Sequence, residues 1–255
     1  MDKGLSVAII TKNEEKHLRR ALESVRFADE IVVVDSGSTD QTLDIAREFN
    51  CRIFERDWPG YAAQKNFALE QCTRQWVFSL DADEQLTPEL EAEVLSVVKG
   101  ETSAFELYTM PRLSLFIDKW MRHGGWYPDR QLRLLKNGAG RFIDRPVHEC
   151  IVSDKPAGRL HSDILHYSYE SLEDYIDRMN HYSSLGAAQI LSKPGRVRVS
   201  LWSLAMVLPR KFLEVYIWKR GFLDGRHGFI VSCLAAWGVF LRQAKVWKPE
   251  SNGDR

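Results

Sequence analysis

Two carboxylates one residue apart, Asp81 and Asp83 in Ser79-Leu80-Asp81-Ala82-Asp83-Glu84, close an apolar run. Carboxylates held that near repel, so both ionise comfortably only when a cation neutralises them. A hard divalent ion, Mg2+ or Mn2+, fits such a pair, because it takes one or two carboxylates and fills its remaining positions with phosphate oxygens and water. The plain alternative is a solvated acidic turn ahead of a helix that opens at Pro88. Position in the fold has to decide between the two readings.

The elements that would position this pair alternate. Leu5 to Ile10 reads as a short strand ending in Thr11-Lys12-Asn13, and Leu18, Leu22 and Val25 then recur at helical spacing. Ile31 to Val34 is a β-branched run closed by Asp35-Ser36-Gly37-Ser38-Thr39, after which Asp40 opens a helix with Leu43, Ala46 and Phe49 on its buried side. Asp40 is also an N-cap type. Cys51 to Phe54 predicts a third strand, Tyr61 to Cys72 a third helix, and Trp76 to Leu80 a fourth strand that stops at Asp81. This order predicts an α/β fold of the Rossmann-like kind, with a mainly parallel sheet covered by helices on both faces. Ligands of such sheets sit beyond the carboxyl ends of the strands, where Thr11, Asp35 and Asp81 fall together.

After Pro88 the pattern predicts a helix to Lys99 and then less regular strands at Phe105 to Met110, Leu113 to Lys119 and Gln131 to Lys136. Helical periodicity returns from Ser171 to Leu191. Pro194-Gly195 punctuates the chain and suggests two regions: residues 1–195, made of a nucleotide-binding half (1–100) and an acceptor half (101–195), and a basic amphipathic helical tail (196–255).

Thr11-Lys12-Asn13-Glu14, Val34-Asp35-Ser36-Gly37-Ser38-Thr39-Asp40, Gln64-Lys65-Asn66 and Leu80-Asp81-Ala82-Asp83 together resemble the family 2 inverting glycosyltransferases, whose fold is called GT-A. The resemblance spans about the first hundred residues in order and spacing. It implies a UDP-sugar donor, with Thr11, Glu14, Asp35 and Ser36 toward uracil and ribose and Lys65 and Asp81 toward the nucleotide. It also implies Mg2+ or Mn2+, with Asp83 as the principal ligand. Many relatives carry two acids after the second strand where this chain has Asp35-Ser36.

Inverting transfer further needs a base for the acceptor hydroxyl. Trp126-Tyr127-Pro128-Asp129-Arg130-Gln131-Leu132-Arg133 offers Asp129, and Arg145-Pro146-Val147-His148-Glu149 offers Glu149. Position favours Asp129. Its plain alternative is a turn residue paired with Arg130 or Arg133, and that of Glu149 is a hydrogen-bonded pair with His148. Both segments, and Leu165-His166-Tyr167-Ser168-Tyr169, resemble a narrower group, the bacterial lipopolysaccharide core glucosyltransferases. His166 is a further candidate ligand for the metal. The narrower resemblance implies UDP-glucose as donor and a lipid-linked saccharide as acceptor. A polyprenyl phosphate or a protein acceptor, or a non-catalytic assembly protein on the same scaffold, are the alternative readings. Nucleotidyl transfer is disfavoured, since Thr11-Lys12-Asn13-Glu14-Glu15 is acidic where a Gly- and Arg-rich phosphate loop is expected.

Lys+Arg and Asp+Glu both total 35 in the 255 residues, so no basic excess points to nucleic acid. The balance hides an asymmetry. From Arg196 to Lys248 there are ten basic residues against Glu214 and Asp224, a net +8. The same tail carries Trp202, Trp218, Trp237 and Trp247, and this mixture of positive charge and interfacial aromatics suits an anionic membrane surface. Helical packing against the main domain, or a homodimer interface, is the alternative. No uninterrupted apolar run reaches spanning length, Gly228 to Leu241 coming nearest, so the expectation is peripheral association. The separated Cys51, Cys72, Cys150 and Cys233 and an N-terminus without a signal-peptide core predict a cytoplasmic location at the inner face of the cytoplasmic membrane.

Overall fold

The computed structural model describes residues 2–101, 104–144, 149–192 and 199–247. The readings placed on Arg145 to His148, Pro194-Gly195, Arg196, Arg198 and Lys248 lie outside them. The chain falls into two compact units, Met1–Ser114 with Pro128–Ser168, and Leu115–Tyr127 with Tyr169–Arg255. The division leaves the helix after Ser171 in the second unit, whereas the sequence places its boundary near Pro194.

In the first unit the predicted alternation holds. β1 (Asp2–Thr11), β2 (Glu30–Asp35), β3 (Arg52–Glu55) and β4 (Arg74–Asp81) are interleaved with α1 (Leu18–Glu23), α2 (Thr42–Glu48) and α3 (Tyr61–Gln71). The four strands run parallel in the order β3-β2-β1-β4. They are buried on both sides: one layer packs Val7, Ile9, Val33 and Phe78 with Leu18 and Leu22, and the other packs Ala8, Val32, Val34 and Val77 with Ala62 and Leu69. That two-sided burial explains the continuous apolar runs of β1 and β2. α2 begins at Thr42, two residues after Asp40, whose carboxylate accepts from the Thr42 N–H at 3.0 Å and caps the turn from one position upstream.

Beyond β4 the sheet becomes mixed. β5 (Glu84–Leu86), α4 (Pro88–Val98), β6 (Leu107–Phe116), β7 (Lys119–Trp120), β8 (Asp129–Lys136), β9 (Arg141–Ile143), β10 (Cys150–Val152), β11 (Gly158–Arg159) and β12 (Ile164–Tyr169) follow. β8 lies antiparallel between β4 and β6, and β12 lies antiparallel to β5. After α4, the only helix in this stretch among the described residues, the remaining strands are joined by turns and loops, which permits antiparallel pairing. The two strands expected at Phe105 to Met110 and Leu113 to Lys119 are one, β6, running through Pro111. Proline suggested a break there, but Leu107, Met110, Leu113 and Phe116 are buried along the whole strand and hold it together.

The second unit is helical. α5 (Leu172–Leu191), α6 (Leu201–Leu213), a π-helical turn (Glu214–Trp218), a 3-10 turn (Gly221–Asp224) and α7 (Gly225–Val246) follow one another. α5 and α6 open with serine caps, Ser171 accepting from the Asp174 N–H and Ser200 from the Ser203 N–H. The segment Gly221–Val246, 26 residues, is long and apolar enough to cross a membrane by length and composition, with 22% of its apolar window buried. It extends beyond the uninterrupted run Gly228 to Leu241 that the sequence singles out. The helix carries Arg226 and Arg242 near its ends, so a search for an unbroken apolar stretch undercounts it.

Candidate active site

Every strand-end residue singled out in the first hundred positions lies at the carboxyl edge of the parallel strands. Thr11 ends β1 and Asp35 ends β2, and the two are register partners. Thr11 Oγ1 donates to Asp35 Oδ1 at 3.0 Å. Asp35 Oδ2 accepts from the Gly37 N–H at 2.8 Å and the Ser38 N–H at 2.7 Å, and the Ser38 hydroxyl adds a contact to Oδ1. The buried carboxylate thus folds its own loop, and Gly37 at φ +82° supplies the left-handed turn. Ser36 is fixed from behind by Gln64, whose Nε2 donates to Ser36 Oγ at 3.0 Å. Glu14 joins the same rim through its N–H, which donates to Thr42 Oγ1 at 2.7 Å.

The acidic pair sits on a cluster of ion pairs. Asp81 Oδ1 lies 2.7 Å from Lys65 Nζ, and its Oδ2 lies 2.5 Å from an Arg133 guanidinium nitrogen. Lys65 also meets Glu149 Oε1 at 2.6 Å. Burial by itself raises the Asp81 pKa, but Arg133 and Lys65 more than offset it and hold the carboxyl well below the usual range. Glu149 is pulled the same way, burial opposing and Lys65 prevailing.

Asp83 has a different partner. His166 Nε2 lies 3.2 Å from Asp83 Oδ2, and the other ring nitrogen, Nδ1, lies 2.8 Å from Ser168 Oγ and 3.3 Å from Ser114 Oγ. Burial raises the Asp83 pKa, and the hydrogen bond and charge of His166 outweigh it, leaving the group lowered. A serine at Nδ1 fixes the ring orientation and leaves Nε2 facing the acid, as a metal-binding imidazole requires.

The base candidates are both at this edge. β8 runs antiparallel to β4, which brings its first residue, Asp129, to the end where β4 finishes. Asp129 is not paired with Arg130 or Arg133 as its plain reading expects. Its Oδ2 is gripped by Arg112, with Nε at 3.0 Å and a terminal nitrogen at 2.6 Å, while Arg130 donates to the Thr109 and Leu160 carbonyls. Arg112 and Arg133 converge on Glu84 Oε1, at 3.3 and 2.7 Å. Glu84 stands in the acidic segment but carries no role in the sequence reading, and Arg112 has no local signal at all, because these acids meet their arginines across separations of up to 52 positions.

Among the described residues no group of three or more His, Cys, Asp or Glu forms a closed cage. Asp83 and His166 face each other, Asp81 is neutralised by Lys65 and Arg133, and five carboxylates (Asp81, Asp83, Glu84, Asp129, Glu149) stand against three permanent cations (Lys65, Arg112, Arg133). An open two-ligand site with surplus negative charge suits Mg2+ or Mn2+, which keeps water and phosphate in its shell, and does not suit a structural zinc.

Comparison with known proteins places the chain in a family. The model of "Glycosyl transferase family 2" matches residues 6–156, reaching past the first hundred to include Asp129, at the start of β8, and Glu149, just before β10. The chain is 34% identical over 251 residues to the lipopolysaccharide core biosynthesis glycosyltransferase LpsC of Rhizobium meliloti, covering 96% of this chain and 92% of that one. It is 32% identical to an uncharacterised glycosyltransferase of Rickettsia typhi, covering 96% and 87%. Among solved structures, a mannosyltransferase from Pyrobaculum calidifontis in complex with GDP-Man and Mn2+ superposes with a TM-score of 0.51 at 16% identity, over 93% of this chain and 88% of that one. The fold is therefore GT-A with an added C-terminal apolar helical element.

Proposed function

This chain belongs to glycosyl transferase family 2, and from that premise we propose that it moves a sugar, glucose from UDP-glucose, to a hydroxyl of a lipopolysaccharide inner-core acceptor with inversion. The observation that carries the reading is the single strand edge holding the Thr11–Asp35 loop, the Asp83–His166 pair and Asp129. Thr11, Glu14, Asp35 and Ser36 form the uridine side, and Lys65, tied to Asp81, is the positive group nearest the diphosphate. Asp83 and His166 would hold the divalent ion, with Asp81 beside them. When bound, Mg2+ or Mn2+ supplies compensation for charge on the departing diphosphate.

Asp129 serves as the base in preference to Glu149. Its side chain is 39% exposed and open to an acceptor, whereas that of Glu149 is 18% exposed and committed to Lys65. The acceptor oxygen attacks the anomeric carbon, its proton passes to Asp129, and the bond to UDP breaks with the electron pair leaving on the diphosphate. The 34% identity to a lipopolysaccharide core enzyme across nearly the whole chain supports the acceptor class over a polyprenyl phosphate or protein.

The helical unit supplies the membrane side of this function. Leu201, Trp202 and Trp218 are 80%, 74% and 73% exposed, and Met206, Leu213, Ile217, Phe229 and Trp237 extend the apolar surface. Arg210, Lys211, Lys219, Arg220 and Arg226 lie among them. Equal positive charge on two copies opposes a symmetric pairing through this face, so anionic lipid at the cytoplasmic face of the membrane is the better occupant. The test is a screen of UDP-glucose and other nucleotide sugars with purified protein, joined to mass analysis of core oligosaccharide from a strain lacking the chain. A core of unchanged mass and no turnover of any donor would refute the function.

A further inference from the structure

Glu84 occupies the centre of the edge cluster and is fully buried. Its Oε2 accepts the Asp81 N–H at 3.1 Å, so it holds the backbone at the start of the acidic turn. Its Oε1 accepts from Arg133 at 2.7 Å and Arg112 at 3.3 Å. In strand register Glu84 faces His166, and Arg112 faces Asp129. One carboxylate therefore touches the donor-side turn with one oxygen and, through Arg112, the candidate base with the other.

Asp129 shows what that connection does. Oδ2 is taken by two nitrogens of the Arg112 fork, and Oδ1 accepts from Gln131 Nε2 at 2.9 Å, leaving a lone pair on Oδ1. The two guanidinium N–H groups converging on Oδ2 fix where that oxygen lies, and the Gln131 bond to Oδ1 then sets the plane of the carboxylate; an ammonium offers no such planar pair of donors. Without it the partly exposed side chain has its ordinary choice of rotamers. We infer that Arg112, steadied by Glu84, is a positioning residue that aims Oδ1 of Asp129 at the acceptor hydroxyl and fixes its distance from the acidic turn.

The inference rests on the reading of Asp129 as base, and the experiment separates the two. Full-length wild type, Arg112→Gln, Arg112→Lys and Asp129→Asn are compared in turnover from UDP-glucose to lipopolysaccharide extracted from a strain lacking the chain. UDP affinity in Mn2+ and the melting temperature are measured for each. Arg112→Gln should lower kcat about a hundredfold, the scale of a misplacement near 1 Å. Its KM for UDP-glucose and its UDP affinity should stay within about twofold. Arg112→Lys, which keeps the charge and loses the fork, should regain about tenfold of that loss.

An inactive Asp129→Asn beside an Arg112→Gln of wild-type kcat overturns the positioning role and leaves the base standing. An Asp129→Asn of wild-type kcat, or a wild type with no turnover from UDP-glucose, overturns the functional reading and this inference with it. A kcat loss that lysine fails to relieve, or that tracks a fall in UDP affinity or melting temperature across both Arg112 variants, shows a merely structural strand contact and also overturns it.

Discussion

Arg133→Met tests the energetics of the edge cluster most sharply. The guanidinium bridges Asp81 Oδ2 at 2.5 Å and Glu84 Oε1 at 2.7 Å, and both Arg133 and Glu84 are buried. Methionine keeps much of the volume and removes the charge, leaving Glu84 with Arg112 at 3.3 Å as its remaining cation. Removing one member of a buried ion pair costs about 3–5 kcal/mol, most of it the penalty for the uncompensated partner. With a urea slope of about 3 kcal/mol per molar for a chain of this size, the unfolding midpoint should fall by about 1 M or more. Because the cost resides in the stranded acid, Glu84→Gln should be less harmful in the Arg133→Met background than in wild type, by about 1 kcal/mol or more of coupling. Urea unfolding of the four proteins, followed by circular dichroism, measures the cycle. A loss below about 1 kcal/mol for Arg133→Met, or strict additivity of the two changes, would refute the account of a buried, interdependent ion-pair cluster.

Acid should act through the same groups. Asp81, Asp83 and Glu149 all have pKa values lowered in the fold. Their contribution to stability is complete above the ordinary carboxylate value of about 4 and is lost as pH falls through the lower folded values. The melting temperature should therefore drop below about pH 4 and less steeply in Arg133→Met; parallel acid curves would speak against it. In the helical unit a Cβ at Gly228 would stand 1.8 Å from the Gly221 carbonyl oxygen. Gly228→Ala should cost about 1–3 kcal/mol as overpacking, and an unchanged thermal midpoint would exclude that contact. The exposed tryptophans make a prediction for vesicles of phosphatidylethanolamine and phosphatidylglycerol. Trp202→Ser with Trp218→Ser should weaken co-flotation at least tenfold, and added salt should weaken the wild type as well. Equal binding to neutral vesicles would contradict the role given to Arg210, Lys211 and Lys219.

The parallel half of this fold is legible in its residues. Val32, Val33 and Val34 are buried without alternation because helices cover both faces, and each run ends in a polar residue because the strand stops at the ligand edge. Asp81 and Asp83 could be placed at that edge for the same reason. Less could be read where contacts are long-range. Arg112 meets Asp129 across strands 17 positions apart and Glu84 across 28, and no local pattern marks an arginine as the partner of a distant acid. Pro111 hid the continuity of β6, since burial along the strand overrides a local breaker. The length of α7 was hidden by Arg226 and Arg242, which interrupt its apolar run without interrupting its helix. Asp35 was legible as a strand-end acid, but its capture by Thr11, Gly37 and Ser38 depends on a loop geometry that only the fold supplies.

The central claim is that Asp83, facing His166 at the end of the parallel strands, binds a divalent ion that in turn binds the donor's diphosphate. Calorimetric titration of UDP into the full chain, with Mn2+ and with EDTA, tests it directly for wild type and Asp83→Ala. The account predicts binding in Mn2+ that falls at least tenfold in EDTA and falls as far in Asp83→Ala with Mn2+ present, while the melting temperature without metal stays within a few degrees. UDP affinity that is the same in all four titrations would contradict it.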